Sequence, residues 1–257
     1  FTLVDEDGPA PVPGQFYMLS ASPDWAGEGG RPFLPRAISY ARLAGTGSGQ
    51  QRLDFLIDEV GPGTTRLARM QPGDTCMIAG PFGHGFSLPG ELNPRAAGAI
   101  LVGGGIGIAP MAVLRRHLID RGIPYRALLG FRDRAHSGGI DELFGCEETR
   151  LAFEDGNAGH KGYVTDLLLR MLDGDDPGGA VVYACGPPAM LEAVRVLCAE
   201  RDVPVELALE SPMACGYGAC YGCAVPKAAG DGYFRLCIDG PVLRGDEIST
   251  EMSGVGI

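Results

Sequence analysis

The sequence predicts an α+β chain of three modules: an antiparallel β-barrel over residues 1–94, a parallel-sheet α/β nucleotide domain over 95–209, and a small cysteine-rich module over 210–257. Three observations predict it. Residues 1–90 hold short alternating strands broken by Gly/Pro turns, the signature of a small antiparallel barrel. Residues 97–209 alternate strand and helix patterns behind a glycine turn, which implies a parallel sheet covered on both faces. The C-terminal stretch places Cys215, Cys220 and Cys223 close together, with Cys237 further on.

In the first module, strands are expected over 1–4, 15–19, 37–43 and 52–60. Pro13-Gly14 turns the chain into the second. In the fourth, Leu53, Phe55 and Ile57 alternate with Asp54 and Asp58, the period of a half-buried strand. Segments 27–30 and 45–50 read as loop insertions, and 83–94 as a linker. Arg36-Ala37-Ile38-Ser39, followed by Gly61-Pro62-Gly63-Thr64-Thr65, forms a first nucleotide signature. The glycines admit a phosphate close to the backbone. Thr64 and Thr65 open a short helix whose N–H groups favour an anion. Arg36 offers a planar fork to the same diphosphate, and Ser39 can hydrogen-bond an isoalloxazine edge. The same residues also suit a solvated arginine beside a plain Gly-Pro-Gly turn.

In the second module, strands are expected over 99–102, 125–131, 150–153, 181–185 and 205–209, with helices over 110–121, 164–172 and 189–200. Met111, Leu114, Leu118 and Ile119 form the apolar face of the first helix. Leu101-Val-Gly-Gly-Gly-Ile-Gly-Ile-Ala-Pro110 is a strand, a glycine turn and a helix start, the context of a dinucleotide diphosphate. Gly103, Gly105 and Gly107 make the turn. Pro110 stands where the usual fingerprint has its third glycine, and proline suits a first helical turn. A tight turn without ligand is the alternative. Cys185-Gly186-Pro187 ends a later strand on the carboxyl edge of the sheet, where such sheets bind ligands. Phe131-Arg132-Asp133-Arg134 offers both an acid for an NAD ribose and arginines for an NADP phosphate.

The C-terminal spacing is C-x4-C-x2-C with a fourth cysteine, that of a plant-type [2Fe–2S] cluster on Cys215, Cys220, Cys223 and Cys237. Gly216, Gly218 and Gly222 allow φ > 0 and let N–H groups face the sulfurs. Cys237 follows a strand that brings it back to the other three. Structural zinc would need a second knuckle, and no His follows His160. Disulfides suit small secreted chains, and the remaining cysteines, 76, 146, 185 and 198, show no pairing pattern. Together these features fit a reducing cytoplasm.

A formal charge of −11 argues against nucleic acid as a partner. No apolar run approaches the roughly 20 residues of a membrane span. The 41 glycines and 20 prolines follow no repeat, which excludes collagen. The sequence starts at Phe1 without Met, and a few residues of the first strand are expected before it. His84, His117, His136 and His160 show no metal-site spacing.

The order R-x-x-S, G-x-G-x-x-P, C-G-P resembles the ferredoxin–NADP reductase superfamily. With the cysteine tail, the chain looks like the electron-transfer subunits of class 1B dihydroorotate dehydrogenase. Matching stretches include Pro13-Gly-Gln-Phe16, Gly80-Pro-Phe-Gly83, Lys161-Gly-Tyr-Val-Thr-Asp166, Glu210-Ser-Pro-Met-Ala-Cys215 and Cys237-Ile-Asp-Gly-Pro241. A sister group, resembling subunits of transhydrogenase complexes, has aspartate in place of the first cluster cysteine. The resemblance implies FAD on Arg36 to Ser39, Leu56, Ile57, Asp58, Gly63 and Thr64, NAD as the nucleotide, and the cluster on the four cysteines. It also implies a partner subunit that carries FMN and oxidises dihydroorotate, in a heterotetramer serving pyrimidine biosynthesis. Ala37 replaces the family's usual proline. Asp58 stands where an arginine is frequent, so its side chain is expected to point away from a diphosphate. No catalytic acid or base is assigned, and Glu210 and Cys185 are left unplaced. The alternatives are an NAD(P)-linked flavin/iron–sulfur subunit of a cytosolic hydrogenase, sulfur reductase or transhydrogenase complex, and a non-catalytic sensor.

Overall fold

The computed structural model describes residues 1–21, 25, 34–45, 50–145, 148–175 and 179–248. The expected loop at 27–30, most of that at 45–50, and Cys146 lie outside them. The first module contains β1 (Thr2–Asp5), β2 (Phe16–Ala21), β3 (Arg36–Gly45), β4 (Gln51–Phe55), α1 (Pro62–Ala68) and β5 (Cys76–Phe82). The strands form one antiparallel sheet in the order β1-β4-β3-β2-β5. β1 and β5 are its edges, so the described strands make a half-barrel rather than the closed barrel expected. Tyr17, Leu19, Tyr40, Leu53, Phe55 and Leu67 fill its interior. Tyr17 meets Tyr40 and Phe55 edge-on, with ring centroids 6.3 and 6.0 Å apart, an arrangement the ring quadrupole favours.

Two sequence expectations need correction here. Strand β5 is an addition to the four strands expected in this module. β4 ends at Phe55 rather than at residue 60. Beyond Phe55 the chain crosses to the neighbouring module, where Leu56 packs against its core. It then enters α1, where the Thr64 hydroxyl accepts from the N–H groups of Val60 and Gly61.

The chain continues through α2 (Pro89–Leu92), β6 (Gly98–Gly104), α3 (Ile108–Asp120), β7 (Tyr125–Phe131), α4 (Ile140–Leu143), β8 (Thr149–Phe153), β9 (His160–Lys161), α5 (Val164–Arg170), β10 (Ala180–Cys185), α6 (Pro188–Ala199) and β11 (Val205–Ala208). The last module adds β12 (Ala224–Pro226), β13 (Tyr233–Arg235) and β14 (Val242–Arg244). The large sheet runs β14-β11-β10-β6-β7-β8-β9. Its strands are parallel except β14, which pairs antiparallel with β11. The sheet is therefore mixed, not wholly parallel. Strand β14 covers an edge that β11 would otherwise leave open to pairing with another chain.

Helix α3 buries more than one stripe. Met111, Leu114 and Leu118 face the sheet, while Val113 enters the half-barrel core and Ile119 points to solvent. A helix wedged between two modules is apolar on two sides, which explains the departure from the single face expected.

Where the modules meet, the buried Glu206 on β11 accepts from the N–H and hydroxyl of Ser87, at 2.9 and 2.7 Å. The Tyr183 hydroxyl donates to the Ser87 carbonyl at 2.9 Å. Burial pushes the Glu206 carboxyl up, against the lowering effect of Ser87 and Arg244. A carboxyl raised in this way favours the folded state in its protonated form. Its contribution is full below the pKa of an unfolded glutamate and is lost as pH rises through the folded-state value. The stability of wild type relative to Glu206→Gln should therefore fall as pH rises across that interval. Thermal unfolding of both proteins against pH checks this, and a pH-independent difference would contradict it.

Candidate functional site

The C-terminal cysteines are positioned by a hairpin and a loop. Strands β12 and β13 pair Ala224 with Arg235, and the Leu236 N–H donates to the Cys223 carbonyl at 3.1 Å. This closes Cys223 onto Cys237, with sulfurs 3.3 Å apart, far beyond the roughly 2.05 Å of a disulfide. In the preceding loop Cys220 lies beside Cys215, where its amide N–H and thiol lower the Cys215 pKa. Cys215 in turn is near enough to Cys237 to raise its thiol, so the four cysteines gather in one region. Among the described residues, no three His, Cys, Asp or Glu side chains converge as a single-ion site. Four cysteines gathered in one region suit a cluster held by four thiolates.

The loop amides face the sulfurs. Burial pushes the Cys215 thiol up, but the N–H groups of Cys220, Tyr217 and Ala219 outweigh it and bring the pKa down to about 6. The Gly222 N–H donates to the Cys220 sulfur at 3.4 Å. For Cys237, burial and the neighbouring Cys223 thiol dominate and raise the pKa to about 12, against the Gly218 N–H. Gly216 takes φ +81° and Gly218 φ +84°, as the spacing predicts. The third left-handed position is Tyr221, φ +58°, instead of Gly222. Arg235 stacks on the Tyr221 ring at 5.0 Å and holds it there.

At the end of β6 the glycine turn is a 3-10 segment, Gly105–Gly107, leading into α3. Gly105 has φ +53°, and a side chain there would meet no atom within 4 Å. It requires glycine for its backbone and faces open space. Gly107 needs glycine for contact, since a Cβ would lie 2.3 Å from the Cys185 carbonyl oxygen. Pro110 is buried in the first turn of α3. The turn thus seats α3 against Cys185-Gly186-Pro187 at the end of β10. Burial raises the Cys185 thiol well above its ordinary value, and the charge of Glu210 adds to this. Glu210 follows β11 on the same carboxyl edge. Its side chain reaches solvent, and desolvation by the surrounding protein raises its carboxyl as well. The structure brings together two residues the sequence left unplaced.

On the half-barrel, Arg36 stacks on Trp25 with its guanidinium 5.6 Å from the ring centroid and donates to the Leu34 carbonyl at 2.5 Å. A Cβ on Gly63 would lie 2.4 Å from Arg36 Nε, so Arg36 and Gly63 are in contact, as the first signature requires. Thr64 spends its hydroxyl on capping α1, donating to the Gly61 carbonyl at 3.1 Å. The Thr65 N–H also bonds to Gly61, at 2.9 Å. Ile38 joins the half-barrel core, whereas Ala37 packs on the opposite face. Ser39 is half-buried opposite Phe16. Ile57 packs inward and Asp58 is exposed, so the acid does not crowd this pocket from within. Trp25 carried no signal in the sequence, because its contact with Arg36 spans a loop.

Beyond the glycine turn, the end of β7 leads to Asp133. Its carboxylate caps the turn 134–136 and meets His136 Nδ1 at 2.7 Å. Hydrogen bonding from His136 holds that carboxyl below its ordinary value. Arg134 pairs with Asp141 at 3.7 Å.

The description "Iron-sulfur cluster binding domain of dihydroorotate dehydrogenase B" matches residues 210–249, and "Oxidoreductase NAD-binding domain" matches residues 101–196. A Bacillus caldolyticus protein named "Dihydroorotate dehydrogenase B (NAD(+)), electron transfer subunit" is 38% identical over 240 residues, covering 92% of this chain and 86% of its own length. A protein of the same name from Listeria welshimeri serovar 6b is 36% identical over 238 residues, covering 92% and 87%. The chain belongs to the family of dihydroorotate dehydrogenase B electron transfer subunits. Among solved structures, the NADH-dependent reduced ferredoxin–NADP oxidoreductase studied for flavin-based electron bifurcation superposes with TM-score 0.73 at 25% identity, over 94% of this chain and 80% of that one. A Neisseria gonorrhoeae ferredoxin NADP+ reductase with bound FAD and NADP shares the fold, with TM-score 0.57 at 20% identity over 78% and 84%. In this member of the family the four cysteines lie in the segment that the iron–sulfur description covers, and the glycine turn lies within the nucleotide-binding match.

Proposed function

We infer that this chain is the electron transfer subunit of an NAD+-dependent dihydroorotate dehydrogenase. It takes electrons from a partner subunit that oxidises dihydroorotate to orotate and delivers them to NAD+. The observation that carries this reading is the gathering of four cysteines, with the Cys223 and Cys237 sulfurs in contact, in a chain whose relatives bear that name along most of their length. When bound, a flavin links two-electron nicotinamide chemistry to one-electron iron–sulfur chemistry.

The chain's own residues supply binding and orientation. Residues 1–94 hold FAD: Arg36 and Gly63 bracket its diphosphate, backbone of Ala37, Ile38, Leu56, Ile57 and Asp58 borders it, and Ser39 faces the ring edge. Residues 95–209 hold NAD: Gly103, Gly105, Gly107 and Pro110 seat its diphosphate, and Cys185, Gly186 and Pro187 border the nicotinamide. Residues 210–257 hold the cluster on Cys215, Cys220, Cys223 and Cys237. The family resemblance supports FMN in the partner and a heterotetramer. The partner docks on the face where Tyr217 and Tyr221 stand exposed on either side of Cys220 in the loop, since aromatic side chains are enriched in interfaces. The unpaired thiols support a reducing cytoplasm. Among the described residues, no helix is long and apolar enough to cross a membrane.

Anaerobic addition of NADH to the purified holoprotein tests the reading. Bleaching of the flavin followed by a paramagnetic signal from the reduced cluster is expected. A flavin that stays oxidised would favour the sensor alternative.

A further inference from the structure

The cluster loop touches the half-barrel at one tight point. At Gly216, the residue after the first cluster cysteine, a Cβ would lie 2.7 Å from Met18 Cγ, 3.1 Å from Met18 Sδ and 3.3 Å from Phe82 Cε2. Its backbone takes φ +81°, which side chains rarely adopt. Met18 is fully buried in β2 and pairs with Ala37 of β3. Met18 therefore joins the loop that carries Cys215 to β2, the strand that pairs with Arg36–Ser39. Met18 and Phe82 share one apolar core with Cys223, Cys237, Val225 and Leu236, so the spacing is fixed by close packing, and interiors packed to this density do not yield continuously.

We propose that Gly216 and Met18 are a positioning pair that sets the gap between the cluster and the flavin, and with it the rate at which electrons cross. The proposal rests on the function inferred above. Electron tunnelling falls steeply with the gap between carriers. Gly216 lets the loop approach, and the unbranched thioether of Met18 fills the contact. In the direction measured, NADH gives a hydride, two electrons, to the flavin. One of these electrons then passes to the oxidised cluster and the other stays on the flavin.

The test is anaerobic stopped-flow of the holoprotein with NADH, following flavin bleaching and cluster reduction separately. Magnetic relaxation of the flavin radical by the reduced cluster serves as a distance readout. Gly216→Val should bleach at the wild-type rate and then reduce its cluster several-fold more slowly, because tunnelling weakens exponentially as the gap widens. Its relaxation effect should weaken in parallel. Met18→Leu conserves volume and should behave as wild type. Should Gly216→Val fail to load a cluster, Met18→Phe pushes on the same contact from the barrel side, away from the cysteines, and should show the same split. Unchanged cluster reduction and relaxation in Met18→Phe, or in a loaded Gly216→Val, would overturn the proposal. Wild-type protein that bleaches its flavin but never reduces its cluster would instead overturn the proposed function.

Discussion

Cys220→Ser is expected to abolish the paramagnetic signal of the reduced cluster and, with it, dihydroorotate-dependent reduction of NAD+. The Cys220 thiol is exposed, lies in the same loop as Cys215 and accepts from the Gly222 N–H. Serine keeps the size of the side chain but replaces a soft thiolate by a hard, weakly acidic hydroxyl, and [2Fe–2S] clusters are held by thiolates. The loss should be selective. NADH should still bleach the flavin, because Arg36, the glycine turn and Cys185 lie outside the cluster loop. Cys76→Ser is the matching control. Cys76 is half-buried on β5, and burial raises its thiol to about 11, as for an inert structural cysteine. Electron paramagnetic resonance of both variants after anaerobic reduction checks this. An unchanged signal in Cys220→Ser would remove it from the ligand set.

Arg36→Ala should release FAD. A hydrogen bond to a charged group contributes about 1.5–3 kcal/mol, so the loss should raise the FAD dissociation constant roughly tenfold to a hundredfold. The structure adds a reason for sensitivity at this position: the guanidinium is pre-set by its stack on Trp25 and its contact with Gly63. Arg36→Lys keeps the charge but loses the planar fork, and its affinity should fall between the two. Titrating flavin-stripped protein with FAD measures the effect, and full affinity in Arg36→Ala would sink the diphosphate role.

What the sequence displayed was local chemistry. Cysteine spacing, the glycine turn at 103–107 and the Arg36–Ser39 strand are short patterns whose geometry follows from a few consecutive residues, and each stands where its context predicted. Contacts made at long range were not legible. Met18 and Gly216 lie almost the whole chain apart, and nothing in either segment points to the other. Cys185 and Glu210 approach because β10 and β11 are neighbours with aligned carboxyl ends. Strand β14 has too few residues to show a period, and it forms because β11 offers an edge. Ile119 follows the helical period yet faces solvent, because α3 is wedged between two modules instead of lying on one.

The measurement that bears most directly on the account is anaerobic purification of the tagged chain from its native host, with the co-purifying subunit identified by mass and the complex supplied with dihydroorotate and NAD+. The account predicts an FMN-bearing partner and one NADH formed per orotate, abolished in the Cys220→Ser complex. Co-purification of a hydrogenase-like or sulfur-reductase subunit, with no NADH formed from dihydroorotate, would contradict it.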